Sequence, residues 1–235
     1  MGRRLCMAVF WCSANVYAIW IGWGAPWGDF MASPARAALI PLWCMGGLLT
    51  VFLTGRKRAV SPLSSPSSKN RYVRLTSASS NVGFRSLYDR IKIAIFGASW
   101  ACFLVLLARM DRKGAFVFWS GWGEEWVRSV GLIVFVVGGT LRCLAIRTRE
   151  AHEVRACLAS TSVYRYIRHP EYLGILSLLL GLSLVFHSGI GLWVVVLWMG
   201  VTVLRIEREE KALTCLNPGY PSYQRQTYHL LFGIY

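Results

Sequence analysis

Six long apolar segments constrain the fold of this 235-residue chain more than any other feature. They run approximately over residues 5–23, 37–54, 91–108, 127–146, 172–187 and 189–204. A helix needs roughly 17 to 25 residues to cross the hydrocarbon core of a bilayer, and the first four segments meet that length. The last two are short, are separated only at Ser188-Gly189, and predict a tight helical hairpin. The pattern therefore predicts an all-α, polytopic integral membrane protein with five to six transmembrane helices.

The composition agrees with a membrane protein and argues against a soluble one. Charged residues make up 16% of the chain and hydrophobic residues 55%, whereas soluble domains carry roughly 25% charge. A net charge of +15 would often indicate a nucleic-acid partner. Here the basic residues lie between apolar segments, so they indicate contact with anionic lipid head groups instead. We expect the bilayer as a partner and no nucleic acid.

The distribution of Lys and Arg predicts the topology. The loop 55–90 is rich in Ser and basic residues, and the loop before the hairpin and the C-terminal tail are also basic. With six spans, the positive-inside rule places both termini and these basic regions in the cytoplasm. Five tryptophans are expected in an aromatic belt at the opposite face: Trp23, Trp27, Trp119, Trp122 and Trp126.

Two polar clusters flank the predicted hairpin, which brings them together. The first reads Tyr164-Arg165-Tyr166-Ile167-Arg168-His169-Pro170-Glu171-Tyr172-Leu173-Gly174. The second contains Arg205, Glu207, Glu209 and Glu210, and is followed by Gly219-Tyr220-Pro221-Ser222-Tyr223. An interfacial anchor would also use Arg and Tyr here, so composition alone leaves a structural role open.

Three features of these clusters favour a binding site over an anchor. Pro170 presets the first turn of a helix, and Gly174 permits a close approach to the backbone. Glu207 and Glu210, three residues apart, share a helix face. The four histidines are widely scattered and the cysteines lack zinc spacing, so no metal is expected.

The motif Arg168-His169-Pro170-x-Tyr172-x-Gly174, followed by a hairpin, a Glu-Glu pair, a Leu and a Tyr-x-x-Tyr, resembles the isoprenylcysteine carboxyl methyltransferases. The same pattern occurs in the related membrane phospholipid methyltransferases. Gly138-x-x-x-Arg142-x-x-Ala145 in the fourth segment is also similar to the family. The resemblance covers about residues 131–225. After it, the family's proline-bearing tail is replaced by residues 229–235.

The resemblance implies methyl transfer from S-adenosylmethionine by a core at 127–235. This core belongs to a single membrane domain, 1–235, which also holds an N-terminal helical pair at 1–54 and the loop 55–90. Catalytic roles are implied for Arg168, His169 and Glu210. Cofactor contacts are implied for Tyr164, Tyr166, His169, Pro170, Tyr172, Gly174, Glu207, Glu209 and Glu210. Arg142 and Arg205 are expected to bind the substrate.

The chemistry of S-adenosylmethionine suits these residue types. A helix start beside Arg168 and His169 can receive its carboxylate. A glutamate at 207, 209 or 210 can accept from the ribose hydroxyls or the ammonium, and tyrosines can pack on the adenine or the sulfonium. Because the transfer is an in-line displacement, the protein mainly supplies proximity and alignment.

The methyl acceptor is expected to be a lipid-modified protein or a lipid. The carboxylate of a prenylated cysteine is the first choice, and a phospholipid amine or a small thiol is the alternative. A carboxylate is already ionised at neutral pH, whereas an amine must lose a proton, for which His169 is the obvious base. The expected location is the endoplasmic reticulum membrane in a eukaryote and the inner membrane in a bacterium.

A transporter or a non-catalytic scaffold is the competing hypothesis. A transporter would carry polar residues near the membrane midplane, but here they lie at one face. The binding site of such an enzyme needs two openings, because the charged cofactor enters from the cytosol and the lipid chain of the acceptor enters from the bilayer.

We expect the opening for the lipid chain between the fourth segment and the hairpin, near Gly138, Gly139 and Gly174, where small residues leave room.

Overall fold

The computed structural model describes residues 2–54, 82–114, 123–155, 161–216 and 220–230. Within these ranges the protein is helical, with one isolated β-bridge and no strand, which confirms the all-α prediction. The helices are α1 (Gly2–Trp23), α2 (Trp27–Met31), α3 (Pro34–Thr54), α4 (Val82–Lys113), α5 (Glu124–Arg155), α6 (Pro170–Val185), α7 (Gly189–Leu216) and α8 (Tyr220–Gln224). A 3₁₀ turn at Ser162–Arg165 precedes α6.

The predicted hairpin is present as α6 and α7. Three residues join the two helices, and the middle one, His187, has a φ of +49°. Two stretches of the described chain, Glu124–Arg149 and Gly189–Cys215, are long and apolar enough to cross a membrane. Pro170–Val185 is a shorter apolar helix. Two candidate spans are therefore present in these ranges, and the count of six stays a prediction.

The predicted basic loop 55–90 is only partly described. Helix α4 begins at Val82, so the last nine positions of that stretch are helical. Residues 55–81, which include most of the Ser-rich sequence, lie outside the described ranges. The prediction of a cytoplasmic loop there remains a prediction.

Helices α5 and α6 pack antiparallel with their backbones in contact. The contact is made by glycines spaced seven residues apart on each helix, at 131 and 138 and at 174 and 181. A Cβ added at Gly138 would lie 2.9 Å from the Gly174 carbonyl oxygen. One added at Gly181 would lie 2.5 Å from the backbone nitrogen of Phe135. Because these glycines have no side chain, the backbones of the two helices can touch.

This packing contradicts the expected lipid passage near Gly138, Gly139 and Gly174. The backbones of Gly138 and Gly174 touch, so no chain can pass between them. A Cβ at Gly139 would meet only the Leu178 side chain, at an ordinary 3.6 Å. The expectation was wrong because a glycine allows close approach, and here the neighbouring helix occupies the space.

The other end of the helices is held by an ionic cluster around the buried pair Asp111 and Arg128. We call this cluster the ion-pair end (Arg36, Asp111, Glu124 and Arg128). Asp111 Oδ2 accepts from Arg36 Nη1 at 2.9 Å, and Asp111 Oδ1 accepts from Arg128 Nη2 at 2.7 Å. Glu124 Oε1 also accepts from Arg128, at 2.5 Å. Arg128 Nη1 donates to the carbonyl of Val185 at 2.6 Å, at the end of α6. The cluster therefore ties α3, α4, α5 and α6 together.

The aromatic belt is only partly as predicted. Trp23 is buried, and the Arg36 guanidinium lies 4.6 Å from the centroid of its ring. Trp23 is thus a packing residue, because α2 and α3 cover it. Trp126 is 77% exposed, as a belt residue would be. Trp119 and Trp122 lie outside the described residues.

Candidate active site

The Arg-His-Pro motif lies at the end of the helices opposite the ion-pair end. Helix α6 begins at Pro170, and His169 before it adopts φ −123° and ψ 56°. The C-terminal tail runs parallel to the motif. The Arg168 N–H donates to the Tyr228 carbonyl at 2.8 Å, and the Tyr228 N–H donates to the Tyr166 carbonyl at 2.9 Å. The tail therefore fixes the backbone of the motif.

A cavity of about 310 Å³ lies between the motif, the C-terminal half of α7 and α8. Its wall includes six residues that the sequence had singled out: Tyr164, Arg168, His169, Tyr172, Arg205 and Glu209. It also includes four polar residues without an assigned role: Arg149, Glu171, Tyr220 and Tyr223. The last two form the Tyr-x-x-Tyr motif, so the sequence did carry a signal for them. The fold thus gathers both polar clusters around one space.

Glu210 is the centre of a hydrogen-bond network behind the cavity wall. Its Oε1 accepts from Arg168 Nη1 at 2.8 Å and lies 3.2 Å from His169 Nε2. Its Oε2 lies 2.8 Å from His229 Nε2 and accepts from Gln224 Nε2 at 3.1 Å. Because both oxygens are engaged, this carboxylate holds the wall residues in place.

Glu209, the neighbouring carboxylate, lines the cavity itself. Its Oε1 accepts from the Tyr172 hydroxyl at 2.5 Å and from Arg205 Nε at 3.2 Å. The Arg205 guanidinium also lies 5.6 Å from the centroid of the Tyr172 ring. These contacts link α6 to α7, while an ion pair between Arg149 and Glu171 links α5 to α6. The cavity wall therefore carries charges of both signs.

Burial determines the ionisation of the groups around the cavity. It lowers the pKa of His169, and the hydrogen bond with Glu210 only partly opposes this, so the imidazole is neutral at pH 7. Burial raises the pKa of Tyr223 to about 12 and also raises the pKa of Tyr220. The two phenols are therefore protonated, and Tyr223 donates to the Tyr164 carbonyl at 2.6 Å.

Several predicted site residues lie away from the cavity wall. Tyr166 and Glu207 are exposed. Pro170 is buried in the first turn of α6. A Cβ added at Gly174 would lie 2.8 Å from the Cβ of Arg142, so the group that approaches this glycine is α5. The contribution of these residues to cofactor binding stays a prediction.

Arg142 lies in the apolar part of α5, about 10 Å along the helix from Arg149. Its Nε is buried, and no other group in the described part of the chain hydrogen-bonds to it. An ionisable group within an apolar membrane helix is usually paired or functional. Arg142 therefore remains a candidate for binding a ligand.

His229 and Gln224 belong to the hydrogen-bond network of Glu210, and the sequence did not indicate either of them. His229 is 60 positions from His169 along the chain, and only the return of the tail brings the two rings to a centroid distance of 6.3 Å. Among the described residues, no group of three His, Cys, Asp or Glu side chains could hold a metal ion.

Comparison with known families supports the identity of the α5–α7 region. Residues 127–216 match the family model described as phospholipid methyltransferase. This segment is therefore similar to the membrane methyltransferases, which confirms the resemblance seen in the Arg-His-Pro motif. A match to this family implies methyltransferase activity at a membrane. No curated protein and no solved structure matches the chain.

Proposed function

We propose that the protein transfers a methyl group from S-adenosylmethionine to a lipophilic acceptor at the membrane surface. The supporting observation is the cavity of about 310 Å³, whose wall is formed mainly by residues of the matched segment 127–216. Guanidinium groups in its wall suit the carboxylate of the cofactor, and Glu209 suits its ammonium or ribose hydroxyls. The ring of Tyr172 offers a face for the adenine or the sulfonium.

The residues of this chain would act mainly by binding and alignment. When bound, the cofactor supplies an electrophilic methyl group. Arg168 and His169 flank the start of α6, whose free N–H groups favour an anionic group. Glu210 keeps Arg168 and His169 in place, and Arg205 orients Glu209. Positioning of this kind accounts for much of the rate gain in group transfer.

For the acceptor we propose the carboxylate of a prenylated cysteine. The support comes from Arg142, whose guanidinium lies in an apolar helix beside Gly174 and has a buried Nε without a partner among the described residues. A guanidinium in such surroundings favours a carboxylate, since the two groups bind in a bidentate way. We extend this proposal to six membrane spans with the cavity facing the cytoplasm, in the endoplasmic reticulum of a eukaryote or the inner membrane of a bacterium.

A phospholipid amine is the second candidate acceptor, and the description of the matched family favours it. An amine must lose a proton before or during transfer. His169 lines the cavity and is neutral at pH 7, because burial lowers its pKa. It could therefore accept that proton, which a carboxylate acceptor would not require.

Binding of S-adenosylhomocysteine to the purified protein tests the cofactor site. Because each removes a buried hydrogen-bond partner, His169→Ala and Glu210→Ala should weaken binding by about 1 to 3 kcal/mol. Arg208→Ala is the matched control, since Arg208 lies on the same helix as Glu210 but is exposed and has no predicted role in the site. The proposed site would be contradicted if His169→Ala and Glu210→Ala both bound S-adenosylhomocysteine with wild-type affinity, or if the wild-type protein did not bind it.

Tritiated S-adenosylmethionine and a panel of acceptors test the reaction. The panel contains a prenylated cysteine, a phosphatidylethanolamine and a small thiol. A methyl ester releases its label in mild base, whereas an N-methyl product does not. Arg142→Gln should raise the KM for a carboxylate acceptor and leave S-adenosylhomocysteine affinity unchanged. Absence of any labelled product would favour the transporter or scaffold hypothesis instead.

A further inference from the structure

The C-terminal tail is held against the motif by three backbone hydrogen bonds. The N–H of Arg168 donates to the Tyr228 carbonyl at 2.8 Å, and the N–H of His169 donates to the His229 carbonyl at 3.3 Å. In return, the Tyr228 N–H donates to the Tyr166 carbonyl at 2.9 Å. Together these bonds define one register of the tail.

That register places the His229 imidazole on Glu210. The distance between His229 Nε2 and Glu210 Oε2 is 2.8 Å, and both side chains are mostly buried. The other oxygen of the same carboxylate contacts Arg168 and His169. Because a carboxylate is rigid and planar, a partner on Oε2 restricts the rotation that would move Oε1. The position of His229 is thereby coupled to two residues of the cavity wall.

We infer that His229 is a positioning residue for methyl transfer, which holds Glu210 so that Arg168 and His169 stay aligned on the cavity wall. His229 is not part of that wall, so it acts through Glu210. This inference rests on the proposed function. It means that the tail after α8 helps to position the residues of the cavity wall.

Titration with S-adenosylhomocysteine tests the inference. His229→Ala should weaken binding roughly tenfold, as for the loss of a hydrogen bond to a charged group, while one molecule still binds per folded protein. His229→Gln should restore most of the affinity, because its amide nitrogen can still reach the carboxylate. A role in folding alone would instead lower the bound fraction at unchanged affinity, and that result would overturn the inference.

A variant that changes the backbone of the tail tests whether the register of the tail keeps His229 in contact with Glu210. Tyr228→Pro removes the N–H that donates to Tyr166 and should weaken binding in the same direction, whereas Tyr228→Phe keeps that N–H and should not. The double variant Tyr228→Pro/His229→Ala should bind S-adenosylhomocysteine with the same affinity as the single variant that binds it more weakly, since both changes break the same interaction. Additive losses would contradict the coupling.

A measurement without cofactor separates this inference from the proposed function. Burial lowers the pKa of His169, and the neighbouring His229 lowers it further, against the opposing effects of Glu210 and Glu209. In histidine-labelled protein, NMR titration should therefore show a higher pKa for His169 in His229→Gln than in the wild type. If that change occurs but the wild type binds no S-adenosylhomocysteine, the proposed function is wrong and the coupling stands. If the wild type binds but His229→Ala changes neither affinity nor the His169 titration, the inference is overturned.

Discussion

Two buried carboxylates at opposite ends of the protein contact basic side chains in similar ways but lie in different surroundings. Asp111 receives Arg36 and Arg128, and its side chain is 2% exposed. Glu210 receives Arg168 and two histidines, and its side chain is 11% exposed. The first carboxylate lies beside the apolar core, and the second lies behind a cavity. The same ionic chemistry can therefore stabilise a fold at one end and support a binding site at the other.

The neighbours of each carboxylate explain this difference. Close to Asp111, the core residues Leu107, Ala108 and Phe186 are fully buried and leave no space for a ligand. Arg128 also satisfies the carbonyl of Val185, which the end of α6 leaves without a helical partner. Around Glu210 the neighbours are polar and leave a cavity of about 310 Å³. We therefore expect variants at the ion-pair end to affect folding and variants at the cavity end to affect binding.

The largest effect is expected from Asp111→Ala. It removes the carboxylate that Arg36 and Arg128 share and leaves Glu124 as the main partner of Arg128. Breaking a buried ion pair in this way costs about 3 to 5 kcal/mol. The free energy of unfolding in detergent measures this loss, and any protein that remains folded should bind S-adenosylhomocysteine normally. The control is Glu125→Ala, whose side chain is 50% exposed and for which we expect roughly 0 to 1 kcal/mol. A loss of cofactor affinity at unchanged stability would reverse the comparison between the two ends.

A smaller loss of stability is expected from Gly181→Ala. The added Cβ would lie 2.5 Å from the backbone nitrogen of Phe135, and overpacking of this kind costs about 1 to 3 kcal/mol. Gly200→Ala is the matched control, because a Cβ there meets no atom within 4 Å and alanine favours a helix by roughly 0.5 to 1 kcal/mol. Thermal unfolding of both variants checks the prediction. Equal melting temperatures would show that α5 and α6 can separate.

The smallest effect concerns pH and His169, which faces Glu210, Glu209, Arg168 and His229. Because burial lowers the pKa of His169, the unfolded chain takes up a proton below about pH 6.5 while the folded site resists it. The folded state therefore loses stability as the pH falls through that range. His169→Gln should reduce the slope of melting temperature against pH between about pH 5 and 7. An unchanged slope would show that His169 is protonated without cost.

Much of the architecture followed from apolar periodicity and turn residues. Five of the six apolar segments lie wholly in helices, and the fifth runs two residues beyond the end of α6. The hairpin forms where the last two segments meet, and Pro170 begins α6. These features depend on local preferences and on burial of continuous apolar surface. The two polar clusters also located six residues of the cavity wall, because the hairpin between them brings its two flanks together.

Long-range contacts could not be predicted in the same way. The sequence indicated Gly138 and Gly174 as sites of close approach, but a glycine does not specify whether a ligand or a helix approaches. In the structure, α6 approaches Gly138 and α5 approaches Gly174. The pairing of Arg36 with Asp111 joins positions 75 residues apart, so nothing local marks either one as buried.

The sequence by itself determined the helices, the hairpin and the chemical types gathered near its open end, since these follow from hydrophobicity, proline geometry and charge along neighbouring residues. Only the tertiary structure decided which carboxylate lines the cavity and which supports it. Glu209 and Glu210 are adjacent, and their roles differ because one faces Tyr172 and Arg205 while the other receives the returning tail. That assignment depends on the packing of α6 against α7 and on the register of residues far apart in the chain, which no local pattern encodes.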